Sequence, residues 1–147
     1  MEQLNISNCS RFSFCGCKFI GKVVNVVDGD TVSAIVEVYP QQFRILNFRL
    51  YGINAPELSG VERPLGIQSK IHLIHMITGI SKDDLKDLKY SEMCRIFNQS
   101  KTYYIFIDCV EEHDKYGRVL ARIYEDADFT VCYNDKLIND GYANAYE

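Results

Sequence analysis

Two arginines, an aspartate, a glutamate and an asparagine stand at strand ends and turns, where functional sites are usually built. Asp30 follows the turn in "VVDGDTV"; Arg49, Asn54 and Glu57 share "RLYGINAPE"; Arg118 follows "DKYG". Singly, each has an ordinary explanation. Asp30 suits turn chemistry, Arg49 the outward side of an alternating strand, Glu57 a solvated loop, and Arg118 a strand edge. Together they form the set that phosphodiester cleavage requires. A hard cation takes oxygen ligands. Charge developing on phosphate oxygens is met by guanidinium groups, which bind it bidentately. An attacking water is oriented or deprotonated by a carboxylate.

The elements that must hold these residues can be read from the apolar pattern. Residues 19–39, "FIGKVVNVVDGDTVSAIVEVY", are rich in β-branched residues and broken once, at Asp28-Gly29-Asp30. An Asp-Gly between two such runs predicts a hairpin. Pro40 ends the second strand, and "FRILNFRLYGI" supplies a third. Pro64, with Glu62 just ahead, opens a helix that stops at Gly79 and places Leu65, Ser69, Leu73, Ile74 and Ile77 near one face. Ser81, followed by Asp83 and Asp84, caps a second helical stretch running to about Phe97. "TYYIFIDCV" and "GRVLARIYE" read as strands four and five, and a short helix over about 132–140 ends at Gly141. The expected fold is therefore mainly β with helices (α+β). Its core is a five-stranded OB-fold barrel with a helix between strands three and four, an extra helical insertion and a short C-terminal helix. Residues 1–18 are expected to form an irregular arm and residues 19–147 one domain, with the insertion at about 80–100. Such barrels host many functions, so the fold alone names none.

With 147 residues, 47% of them hydrophobic, the chain can bury a domain-sized core. A net charge of −4 argues against binding nucleic acid by bulk positive charge, while leaving room for a local basic site. The N-terminus "MEQLNISNCSRF" has neither a basic start nor an apolar run. No stretch approaches the length of a membrane span. The expectation is an intracellular protein without membrane association. Cys9, Cys15 and Cys17 cluster in "CSRFSFCGC", but no paired Cys-x-x-Cys or fitting histidine completes a zinc site, so free thiols on the arm are expected. Cys94, Cys109 and Cys132 read as scattered core or surface thiols. His72 and His75 have a spacing that suits a metal only if a third ligand converges, and none is evident. They are expected on the helix surface or partly packed. His113 is expected in an exposed loop, and "KDDLKDLK" as a solvated helix face.

"VVDGDTV", "RLYGINAPE", "DKYGR" and "NDKLINDGYA" follow the order and rough spacing of the staphylococcal-nuclease-like (thermonuclease) family, which the chain resembles over about residues 19–146. The resemblance implies an OB-fold barrel and a Ca²⁺-dependent nuclease. Its substrate would be DNA or RNA phosphodiesters, single-stranded or frayed, and its products would carry a 3′-phosphate. By position, Asp30 and residue 54 resemble the Ca²⁺ ligands, and Ala55 resembles the residue that contributes a backbone carbonyl. Arg49 and Arg118 resemble the phosphate-binding arginines, and Glu57 the general base or water-orienting residue. Asp28 resembles a carboxylate standing behind the ligands, while Tyr116 and Tyr146 would flank the nucleotide. The partners implied are DNA or RNA, with no protein partner assigned and the assembly left as monomer or homodimer.

Three departures accompany the resemblance. Asn54 stands where Asp is usual. The stretch "SKDDLKDLKYSEMCRIFNQS" is inserted, and the chain ends near where the family pattern begins its last helix. The barrel side exposed by that loss is expected to be covered by the arm, the insertion or a partner subunit. Asn can ligate Ca²⁺, but one carboxylate fewer predicts weaker binding. Decay of the site into an inactive nucleic-acid- or protein-binding module is the alternative, and a purely structural interaction domain a third reading. Because Arg49, Glu57 and Arg118 all match the family pattern, an active nuclease is the preferred expectation.

Overall fold

The computed structural model describes residues 4–8, 12–110, 114 and 116–146. The expected barrel is present. Strands β1 (Lys18–Asp28), β2 (Thr31–Tyr39), β3 (Gln42–Leu50), β5 (Tyr104–Cys109) and β6 (Val119–Tyr124) close in the order β1-β2-β3-β6-β5. All neighbours are antiparallel except β3 and β6. Alternation sends Val23, Val32, Ala34, Phe48, Leu50, Ile105, Ile107 and Ile123 into the barrel, all fully buried. Among the described residues, no helix is long and apolar enough to cross a membrane.

The third strand departs from expectation. It stops at Leu50, and Gly52, with φ +81°, turns the chain into a separate two-residue strand, β4 (Ile53–Asn54). Strand β4 pairs with β7 (Asn144–Ala145), which follows helix α4 (Tyr133–Asn139). The tiny sheet ties the C-terminal segment to the turn that carries Asn54.

Helix α1 (Arg63–Thr78) runs as expected between β4 and β5, with Pro64 in its first turn and left-handed Gly79 as its stop. The expected single apolar face is replaced by burial on all sides: Ser69, Lys70, Ile71, His72, Leu73 and Ile74 are consecutive and buried, while Leu65 is exposed. The helix packs on β1 on one side and on α2 and α4 on others, so it needs no single stripe.

The insertion forms two helices rather than one, α2 (Lys82–Lys86), capped by the Ser81 side chain, and α3 (Tyr90–Ile96). Leu85, Met93 and Phe97 are buried in the core. At 3.6 residues per turn, a continuous helix would rotate Phe97 about 120° away from Leu85; the break at Asp87–Lys89 lets α2 pack on α1 and α3 on β1, so both side chains are buried. The insertion therefore contributes to covering it. The acidic stretch is solvated at Asp83, Asp84, Lys86 and Asp87, but Leu85 is not.

Against expectation, His72 is buried. Its Nε2 lies 2.8 Å from Asp140 Oδ2, its ring stacks on Tyr142 at 4.0 Å, and its Nδ1 is buried without a hydrogen-bond partner. Protonation would bury an unpaired N–H. Burial lowers the His72 pKa, and the Asp140 contact offsets this only in part. Below pH about 6.5 the unfolded chain takes up a proton that the folded chain resists. Stability should therefore fall as the pH drops from about 6.5, by no more than about 1.4 kcal/mol per pH unit from this group. Thermal unfolding between pH 7.5 and 5 checks this; His72→Gln should flatten the slope. His75 is half-buried, its Nδ1 2.6 Å from the Ile80 carbonyl. Cys15 and Cys17 are free and exposed, Cys94 is half-buried, and Cys109 and Cys132 are buried thiols. Cys9 and His113 lie outside the described residues.

Candidate functional site

Helix α1 is the platform for two loops. At the β1–β2 turn, a Cβ on Gly29 would lie 2.7 Å from Ser69 Cβ and 2.9 Å from Ala55 Cβ. Only glycine lets the turn, the helix and the Ala55 segment meet. At Gly66, the helix approaches the carbonyls of Pro56 and Glu57 just as closely. Buried Asn134 fixes a third side: its Oδ1 accepts from Ile123 N–H, and its Nδ2 donates to the Tyr51 and Ala121 carbonyls. Gly29 reads in the sequence only as a turn residue, and Gly66 and Asn134 are not singled out there. A lone glycine in "PLGIQSK" gives no signal of a close approach from a distant loop.

Between these supports lies a cleft of about 500 Å³. Asp28, Asp30, Arg49, Asn54, Ala55, Glu57, Tyr116, Arg118 and Tyr146 all line it. These include every residue expected at the site from the sequence. Asp30 is buried and Ala55 N–H donates to its Oδ2 at 2.8 Å. Arg49 reaches the same corner: its Nη2 lies 3.3 Å from Asp30 Oδ2 and 3.4 Å from Asn54 Oδ1, while its Nη1 donates to the Leu50 carbonyl. Asp28 Oδ1 accepts from Asp30 N–H. Burial, then the contact with Asp28 and its charge, push the Asp30 carboxyl up to about 7, and the Ala55 N–H and Arg49 offset this only in part.

Arg118 stands just before β6, the neighbour of β3, two residues from Leu120, which pairs with Arg49; its Nε donates to Asp114 Oδ2 at 2.7 Å. Asp114 also accepts the N–H groups of Tyr116 and Arg118, forming a closed turn. Burial works against this carboxylate, yet those N–H groups and the guanidinium hold its pKa below the ordinary value. Asp114 was missed as a site residue although it stands four residues before Arg118 in "DKYGR". Tyr116 is exposed, with its ring centroid 5.2 Å from Arg118 Cζ. Glu57 is exposed at the rim, and Glu62 Oε2 accepts its backbone N–H, which fixes the turn but leaves the Glu57 carboxylate facing solvent.

The family profile described as Staphylococcal nuclease homologue matches residues 47–147, the part of the chain carrying Arg49, Asn54, Ala55, Glu57 and Arg118. The chain belongs to the staphylococcal nuclease family. It is 33% identical over 135 residues to an uncharacterized protein of Methanocaldococcus jannaschii, MJ1439, covering 87% of this chain. The chain spans 59% of the length of that relative. The family fold is a nuclease-like one, and its members are generally Ca²⁺-dependent.

The donors here fit a hard cation in kind but are few. Asp30 offers a carboxylate oxygen, whose charged form burial disfavours until a cation arrives, and Asn54 adds a neutral oxygen at the same corner. Among the described residues, no three His, Cys, Asp or Glu side chains gather as a metal cluster. An Asp at position 54 would add the carboxylate that this chain lacks.

Proposed function

We propose that this chain is a Ca²⁺-dependent nuclease acting on DNA or RNA phosphodiesters. The observation that carries the reading is the convergence of Arg49, Arg118, Asp30 and Glu57, from four separate segments, on one cleft. Asp30, Asn54 and the Ala55 carbonyl are the groups that would hold Ca²⁺, which when bound supplies positive charge beside the phosphate. Arg49 on β3 and Arg118 just before the neighbouring β6 stabilise the phosphate oxygens as charge builds. Asp114 positions Arg118, and Asp30 with Asn54 positions Arg49. Glu57, free at the rim, orients or deprotonates the attacking water. Tyr116 and Tyr146 offer flat faces to a splayed base. The proposed substrate is single-stranded or frayed, and the product carries a 3′-phosphate.

A single carboxylate among the proposed Ca²⁺ ligands favours a second reading, in which the cleft binds a strand without cutting it. Cleavage of labelled single-stranded DNA and RNA across a Ca²⁺ titration separates the two. Cleavage is expected only at high Ca²⁺. Asn54→Asp should lower the Ca²⁺ midpoint about tenfold, because affinity follows the charge of the ligands. Glu57→Ala should reduce the rate at least about 100-fold. A wild type that binds the strand but stays silent at every Ca²⁺ concentration leaves the binding module as the answer.

A further inference from the structure

Away from the cleft, strand register assembles a second surface. On the outward side of the barrel, Ile45 of β3 pairs with Ile35 of β2, Ile35 with Lys22 of β1, and Lys22 with Tyr104 of β5. One row thus crosses four strands with a lysine inside it. Beside it lie Phe43, Ile20 and Lys18, and with Lys22, Ile35 and Tyr104 they border a groove of about 540 Å³. Ile20, Phe43, Ile45 and Tyr104 are between 57% and 64% exposed. Single exposed apolar residues are ordinary; a contiguous set marks a binding surface.

The charges decide what fits it. The chain as a whole is negative, yet two lysines border the groove against one acid, Glu37. Neither lysine forms an ion pair among the described residues; Lys18 Nζ stands 4.7 Å from the Phe129 ring centroid. A two-fold contact between copies would bring Lys22 of both chains into its middle, and lysine is depleted from interface cores because the charge loses its water. A single-stranded polynucleotide uses the same set well: bases stack on Tyr104 and Phe43 while phosphates meet Lys18 and Lys22.

The surface is also continuous with the cleft. Arg49, Asn47, Ile45 and Phe43 alternate to the same side of β3. At about 3.3 Å per residue, Ile45 lies about 13 Å and Phe43 about 20 Å from Arg49 along the strand. We propose that this outer face, centred on Lys22, Phe43 and Tyr104, is a binding track for single-stranded polynucleotide that extends the footprint beyond the cleft. This rests on the nuclease reading for its substrate class. It adds that affinity grows with strand length.

The test is fluorescence anisotropy of labelled oligo-dT and oligo-U, 4 and 12 nucleotides long, in EDTA so that no cleavage intervenes. The 12-mer should bind at least about tenfold tighter than the 4-mer. Phe43→Ala and Tyr104→Ala should each weaken the 12-mer at least about fivefold and leave the 4-mer unchanged, as expected for lost stacking. Lys22→Gln should weaken the 12-mer and reduce its salt slope by about 1. Circular dichroism and sedimentation velocity on the same variants check fold and assembly. Equal affinity for both lengths, or a 12-mer untouched by all three changes in folded variants, overturns the track. So does a wild-type dimer that these variants dissociate, which would make the face a contact between copies. Length-dependent binding without cleavage would defeat the nuclease reading and keep the track. Cleavage with no dependence of binding on length would do the reverse.

Discussion

Gly66→Ala should lower the melting temperature by about 5 °C or more and disturb the cleft with it. A Cβ at residue 66 would lie 2.2 Å from the Glu57 carbonyl oxygen, 2.7 Å from its carbon and 2.9 Å from the Pro56 oxygen. All three are backbone atoms, so no rotamer relieves the clash; the helix or the 55–57 turn must move. Alanine gains about 1 kcal/mol of helix propensity over glycine. Overpacking costs about 1–3 kcal/mol, more where backbone must give. The cost should win by about 2 kcal/mol. Because the displaced turn carries Ala55 and Glu57, Ca²⁺ affinity and cleavage should drop even in the fraction that stays folded. Thermal unfolding decides the first part: a raised melting temperature would mean that helix propensity outweighs the contact.

Arg118→Ala should slow cleavage by about 10²–10³, the scale seen when one donor to a developing charge is removed. The fold should survive, because the turn does not depend on this side chain alone. Asp114 keeps the N–H groups of Tyr116 and Arg118, both of which an alanine leaves in place. Asp114→Asn tests the positioning role: it keeps the turn's acceptor but loses the ion pair of 2.7 Å, and should cost less than Arg118→Ala. Single-turnover cleavage of single-stranded DNA at saturating Ca²⁺, beside thermal unfolding, gives both readouts. An undiminished rate in a folded Arg118→Ala protein would remove that guanidinium from the reacting phosphate.

The sequence by itself determined most of the barrel and the membership of the cleft. Turn residues at Asp28-Gly29-Asp30, apolar alternation in the strands, and the Pro64 and Gly79 limits of helix α1 are local signals, and local signals survive folding. The chemistry-bearing residues were legible because each sits on such a signal, at a turn or a strand end. What failed was non-local. The single helix expected over 81–97 is two, with α2 packed on α1 and α3 on β1, so that Leu85 and Phe97 both join the core. Burial of His72 depends on Asp140 and Tyr142, which lie far along the chain. The β4–β7 pair joins residues about ninety apart, and two-residue strands have no pattern to read.

Tertiary structure alone decided how the residues act on one another. That Arg49 stands between Asp30 and Asn54, and that Gly29 and Gly66 let helix α1 meet the segments carrying Asp30, Ala55 and Glu57, are facts of close approach. Spacing along a chain fixes which side of a strand a residue faces. It does not fix which distant backbone comes within 3 Å, because that follows from how helix α1 and the closing strands pack together.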